Sequence, residues 1–202
     1  MTFRRLLVLP LLLLAALLVG CGSDDSDSDN SSTSSDSDSQ SDAADDEDAK
    51  QEDRDDAVGT DDFSFIAPDG WEDISDDPTV GRAEIAYRDE DAVGSFAANV
   101  NVIRTPGPKM SVSDLEEAGI AELEAGGFQD VRADDPYKVD GVRSAVVSST
   151  ATQQGITYQT RQYYAQYDGA YYIITFSFSP DEDEDEIIDV SESVIDSWRW
   201  ES

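Results

Sequence analysis

The chain has 202 residues, with 46 Asp and Glu against 13 Lys and Arg, no His, one Cys, and a formal net charge of −33. Without histidine, and with a single cysteine, it can form no Cys/His zinc site, Ser-His-Asp triad or intramolecular disulfide. The charge argues equally against nucleic acid, whose binders carry a basic stripe that is missing here.

In chain order, Arg4 and Arg5 lead into the apolar run Leu6–Val19, which contains Pro10 and ends at Leu18-Val19-Gly20-Cys21. Positive, apolar and small residues in that order form a secretory signal peptide. The run is shorter than the roughly 20 residues needed to cross a bilayer core. The tetrapeptide resembles the lipobox of prokaryotic lipoproteins, which implies lipidation of the Cys21 thiol, cleavage before it, and Leu18, Val19 and Gly20 as the recognition residues for the signal peptidase. The bland alternative is an inert cysteine in an N-terminal anchor helix. The Arg4-Arg5 pair also admits a twin-arginine export signal; either route ends outside the cytoplasmic membrane.

Residues 21–60 are expected to be a linker. From Gly22 to about Thr60 the chain is almost wholly Ser, Asp, Glu, Asn, Gln and Ala, with no aromatic residue before Phe63. Such a composition buries too little apolar surface to offset its conformational entropy, so a disordered acidic tether is predicted. Fifteen acidic residues lie between Asp24 and Asp56, against Lys50 and Arg54. Carboxylates at alternate positions suggest calcium, but an EF-hand loop needs Gly sixth and Glu twelfth. Counted from Asp24, those places hold Asp29 and Ser35. The motif fails.

Residues 61–202 are expected to fold as one domain. Phe63–Ile66 reads as a strand closed by the turn Pro68-Asp69-Gly70, and Ala83–Tyr87 and Phe96–Arg104 as two more. In the last of these, Ala98, Val100 and Val102 alternate with Asn99 and Asn101. The period then becomes helical: Ser113-Asp114-Leu115-Glu116 has capping-box spacing, Val112, Leu115, Gly119 and Leu123 form one stripe, and Gly126-Gly127 supplies the stop. Phe128–Arg132 and Tyr137–Val139 are short strand segments. A meander of Val142–Thr152, Ile156–Tyr167 and Ala170–Ser179 follows, turned at Gln154-Gly155 and Asp168-Gly169. The acidic run Asp181–Glu186 opens a last helix, with Ile187, Val190, Val194 and Trp198 on one face. The order predicts an α+β domain with a mostly antiparallel sheet.

A strand ending in Pro68-Asp69-Gly70-Trp71, the Asn99-Val100-Asn101-Val102 strand, a helix opening at Ser113, three long strands and the closing Ser191–Trp198 segment resemble the PsbP-like fold. With the lipobox and acidic spacer, the chain is most similar to the LpqN-type lipoproteins of actinobacteria. The resemblance covers about residues 60–202. It implies an antiparallel sheet flanked by helices, and a fold that hosts accessory and binding proteins with no established catalytic residues.

Carboxylate pairs for glycoside hydrolysis are the enzymatic chemistry that composition leaves open. Tyr163 and Tyr167 should point to one side of a strand, and Tyr158 and Tyr164 to the other. One side is then core, and the other is either covered by a helix or an exposed aromatic platform. The reading that follows is a lipid-anchored protein of the extracytoplasmic membrane face, with no catalytic residue, metal or cofactor. Its domain is a binding or accessory module for an envelope protein or small ligand. The alternatives are an envelope hydrolase using two carboxylates, and an acidic surface component.

Overall fold

Three two-residue turns organise the C-terminal half, each with both residues at positive φ: Asp140-Gly141 (43° and 79°), Gln154-Gly155 (50° and 87°) and Asp168-Gly169 (40° and 74°). That geometry suits the twist of antiparallel strands and makes tight hairpins. Two of these turns are expected from the sequence; Asp140-Gly141 joins the meander to one strand more. The computed structural model describes residues 56–91 and 96–201. The segments expected to be a signal peptide and, but for its end, a linker, with Cys21 and the expected Gly94 turn, lie outside the described residues.

The elements run β1 (Ala57–Gly59), β2 (Phe63–Ile66), β3 (Trp71–Asp73), β4 (Ile85–Asp89), β5 (Asn99–Pro106), α1 (Val112–Ala125), β6 (Gln129–Val139), β7 (Val142–Gln153), β8 (Ile156–Tyr167), β9 (Ala170–Phe178), α2 (Glu184–Ser197) and β10 (Arg199–Trp200). Seven strands form one sheet in the order β3-β4-β5-β9-β8-β7-β6, with every neighbouring pair antiparallel. A second sheet, β1-β2-β10, joins the two ends of the described chain. The predicted α+β architecture is the one observed. Strand β1 lies on the linker side of the boundary that composition draws at 60/61.

Both faces of the large sheet are covered. On one, Leu115 and Leu123 of α1 pack with Ala145, Val147, Tyr158 and Tyr164. On the other, α2 and the small sheet bring Phe63, Phe65, Val194 and Trp198 onto residues such as Val102 and Phe176. Trp198 is wholly buried, with ring centroids 4.5 Å from Phe63 and 5.5 Å from Phe65, all nearly parallel.

Three local expectations need correction. The capping box is built two residues earlier than predicted: Ser111 Oγ accepts from the Asp114 N–H at 3.1 Å, and Asp114 Oδ2 accepts from the Ser111 N–H at 3.3 Å. Asp114 is the nearer acidic residue and returns to the cap within one turn. The two short segments around Arg132 and Tyr137 are one strand, β6, whose register shifts between Gln129 and Arg132 and again between Asp134 and Tyr137. Bulges and Pro136 suit an edge strand, which must not offer a regular ladder to other chains. Trp198 does not end the helical face; it caps α2 with extended backbone (φ −59°, ψ 139°) and enters the core from there.

Candidate functional site, a buried ion cluster beneath α2

Strand alternation carries Arg161 inward. It lies two residues before Tyr163 on β8, so both side chains take the α2 side of the sheet. The Arg161 side chain is 7% exposed. An arginine at such a depth requires partners. Its Nη1 donates to Asp134 Oδ2 on β6 at 2.6 Å, its Nη2 to Glu192 Oε1 on α2 at 3.4 Å, and its Nε to Tyr163 Oη at 2.9 Å.

Each partner is engaged in turn. Asp134 also accepts from the Ser148 hydroxyl and lies 3.4 Å from Arg132 Nε. Arg132 then reaches Glu184 in the first turn of α2. Tyr163 Oη is 3.1 Å from Ser191 Oγ, which donates to the carbonyl of Ile188. Glu192, Arg161, Asp134, Arg132 and Glu184 therefore form a line of alternating charge that begins and ends on α2. Eight residues separate its two helical ends, about 12 Å along the axis. The chemistry is that of a clamp holding a helix to a sheet.

A smaller cluster joins the two sheets. Arg104 Nε on β5 donates to Tyr172 Oη at 3.1 Å and lies 3.0 Å from Asp62 Oδ2. Beside it, Trp200 packs on the Tyr172 ring with centroids 4.8 Å apart, places its indole nitrogen 3.0 Å from the Val139 carbonyl and stacks on Tyr167, with ring centroids 4.6 Å apart.

The tyrosines divide between the faces as alternation requires. Tyr163 and Tyr172 are buried on the α2 side with Tyr167 packed against them, and Tyr158, Tyr164 and Tyr171 are buried on the α1 side. The exposed aromatic platform is thus not formed. Burial alone pushes the Tyr158 hydroxyl up to about 12. Tyr164 is raised as well, by burial first and then by the charge of Glu122.

Among the described residues, no group of three or more Cys, His, Asp or Glu is arranged to hold a metal ion. None of the described helices is long and apolar enough to cross a membrane. Leu18, Val19, Gly20 and Cys21 lie outside the described residues. The Arg161 cluster escapes the sequence reading, although one signal was present: a cation in register with Tyr163 on the strand face that must be core.

No protein-family model and no curated protein matches the chain. Solved structures do. LpqN of Mycobacterium tuberculosis, described as involved in cell envelope biogenesis, aligns with a TM-score of 0.53 and 12% identity over 72% of this chain and 90% of its own. The domain has the fold of LpqN. A cyanobacterial PsbP from Synechocystis aligns at TM-score 0.42 and 15% identity, over 71% of this chain and 89% of its own. A Bacteroides thetaiotaomicron protein aligns at TM-score 0.49 and 14% identity over 69% of this chain, which spans only 45% of that protein. The α+β domain of LpqN type implied by the sequence pattern is the fold observed, on the LpqN alignment alone. At 12% identity the likeness to LpqN is one of fold and assigns no residue a role.

Proposed function

We propose that the chain is a lipoprotein of the extracytoplasmic membrane face, anchored through Cys21, whose LpqN-type domain serves as a non-catalytic binding or accessory module in the cell envelope. The observation that carries this reading is a combination within one chain: the Leu18-Val19-Gly20-Cys21 tetrapeptide, an acidic spacer, and the fold of a protein described as involved in envelope biogenesis. The Arg161 cluster supports the non-catalytic half. Asp134 and Glu192, the carboxylates that meet beneath α2, share one guanidinium and tie the helix to the sheet. A glycosidase instead sets two carboxyl groups either side of a scissile bond.

Intact-mass measurement of the membrane fraction tests the proposal, comparing wild type with Cys21→Ala. The expected mature species starts at Cys21, is heavier by a lipid anchor, and is missing from the variant. A wild-type chain that is unlipidated, or still carries residues 1–20, overturns the anchoring. Envelope crosslinking of the lipidated form then tests the accessory role, with hydrolysis of envelope glycans by the purified domain as the contrary result.

A further inference from the structure

Two cations stand opposite one another at one end of the sheet. Lys138 on β6 pairs in register with Arg143 on β7, beside the Asp140-Gly141 turn, and both are exposed. Like charges directly opposite in a sheet are destabilising. Here the pairing persists in a chain with more than three acidic residues for every basic one. Arg143 lies two residues before Ala145 of the α1-side core, so alternation sends both cations to the α1 side of the sheet.

The row continues across the strands. Ala145 pairs with Tyr164, so Arg143 falls beside Gln166, and Gln166 pairs with Tyr171 on β9. The segment between β5 and α1 is fastened over that part of the row. The Pro108 carbonyl accepts from the Tyr171 hydroxyl and, at 2.8 Å, from Gln166 Nε2; the Met110 N–H donates to Gln166 Oε1 at 2.9 Å. Lys109, exposed, is held between those two attachments, two residues before Ser111, the N-cap of α1. Among the described residues, Arg88, Arg104, Arg132 and Arg161 pair with carboxylates; Lys109, Lys138 and Arg143 do not, nor do Arg82 and Arg199, but of these only Lys109, Lys138 and Arg143 share one row. The neighbouring acids Asp114 and Asp140 already accept from the backbone N–H groups of Ser111 and Trp200.

We propose that this basic row receives the chain's own acidic segment, residues 42–56, as an intramolecular dock. That segment carries nine acidic residues against Lys50 and Arg54 and joins the fold at β1. Fifteen residues extend to about 50 Å, against a radius of gyration of about 15 Å for a domain of this size, so reach does not limit the contact. The domain's net negative charge opposes a separate polyanion and the acidic segment alike, so what favours the segment is its attachment. The segment is already attached, at an effective concentration on the order of millimolar. Docking by exposed charges weakens with salt, so ionic strength would set how far the domain stands from residue 21.

The test uses the mature chain, residues 21–202, with Cys21→Ser and Ser41→Cys and a nitroxide on the introduced thiol. The readout is broadening of backbone amide resonances at about 0.01 M and 1 M salt, where the Debye length falls from roughly 30 Å to 3 Å. Broadening at residues 107–111, 138 and 143 in low salt is expected to disappear in high salt. It should also disappear in Lys138→Glu/Arg143→Glu and weaken in the milder Lys138→Gln/Arg143→Gln. Arg82→Glu, in the connection before β4 at the opposite edge of the sheet, should leave it unchanged. Broadening that is spread evenly over the domain, survives 1 M salt, or persists in the reversed variant overturns the dock. Lipidation plays no part in the measurement, so its result is independent of the anchoring proposal.

Discussion

Gly119 of α1 lies against the ring of Tyr164 on β8, so closely that a Cβ at position 119 would sit 2.7 Å from Tyr164 Cζ and 2.9 Å from Cε2. The helix approaches the sheet at the one place on its stripe where the side chain is absent. Tyr164 is itself buried, with its hydroxyl engaged on Gln162 Oε1 at 2.5 Å, and has little room to yield. Gly119→Ala gains about 1 kcal/mol in helix propensity and loses about 2 kcal/mol or more to overpacking. The expected result is a net destabilisation of about 1 kcal/mol in chemical denaturation, while Glu117→Ala on the exposed side of the helix is neutral within error. A stabilised Gly119→Ala would show that the helix lifts freely from the sheet.

Removing the centre of the ion cluster should cost more than removing its rim. Arg161→Met leaves Asp134, whose side chain is 16% exposed, with only the half-exposed Arg132 as a cation, and takes from Glu192 its pair with Arg161. Loss of one partner from a buried pair predicts a destabilisation of about 3 kcal/mol. Glu184, two-thirds exposed, should matter little on substitution by Gln, about 0.5 kcal/mol or less. Adding Asp134→Leu to Arg161→Met should recover much of the loss, because it removes the stranded carboxylate. Denaturation midpoints of the three variants decide; equal effects at Arg161 and Glu184 would argue against a clamp with a buried centre.

The turn at Gln154-Gly155 is filled less well than its neighbours. Gln154 adopts φ 50°, a left-handed conformation that Asn and Asp tolerate far better than longer side chains. Gln154→Asn produces the Asn-Gly pair preferred for this hairpin and should raise stability by about 0.5 kcal/mol, read as a higher melting temperature. Gly155→Ala, at φ 87°, should lower it by about 1 kcal/mol.

The buried tyrosines predict a sharp alkaline limit. Tyr158 is held up at about 12 by burial, and Tyr163, Tyr164 and Tyr172 are all raised, with burial as the leading cause. Below pH 10 these hydroxyls keep their protons in both folded and unfolded chains and the shifts change nothing. Between about 10 and 12 the unfolded chain releases the Tyr158 proton that the folded chain retains. Stability therefore falls with rising pH, by about 1.4 kcal/mol per unit from Tyr158, and the other raised tyrosines act in the same direction. Phenolate absorbance should stay suppressed above pH 10 and then rise in one cooperative step coincident with loss of structure. A gradual rise centred on pH 10 would mean that the rings are open to solvent.

Much of this was legible in the residues because strands alternate. The assignment of Tyr163 and Tyr167 to one side, and Tyr158 and Tyr164 to the other, needs only a period of two. Whether the second side is open depends on where α1 returns to the sheet, and no local pattern carries that information. The capping box is ambiguous in the sequence because Ser111 and Ser113 each stand three residues before an acidic residue, and only the course of the preceding segment over Gln166 selects the first. Strand β6 looks like two short segments in the sequence because its bulges break the alternation that marks a strand. Arg161 stands between polar neighbours, Thr160 and Gln162, and only its alignment with Tyr163 marks it for the inner face.

The small sheet also fixes how the domain bears load. Its strand β1 is a three-residue ribbon paired Ala57 to Ile66, Val58 to Phe65 and Gly59 to Ser64. Tension arriving from residue 56 meets the Ala57–Ile66 pair first and opens the hairpin one rung at a time, peeling it where a shearing pull would have to break all rungs together. Behind it, β2 is pinned by Phe63 and Phe65 against Trp198. The first response to a pull is thus to lengthen the strap by a few residues, before the Phe63 and Phe65 contacts are disturbed.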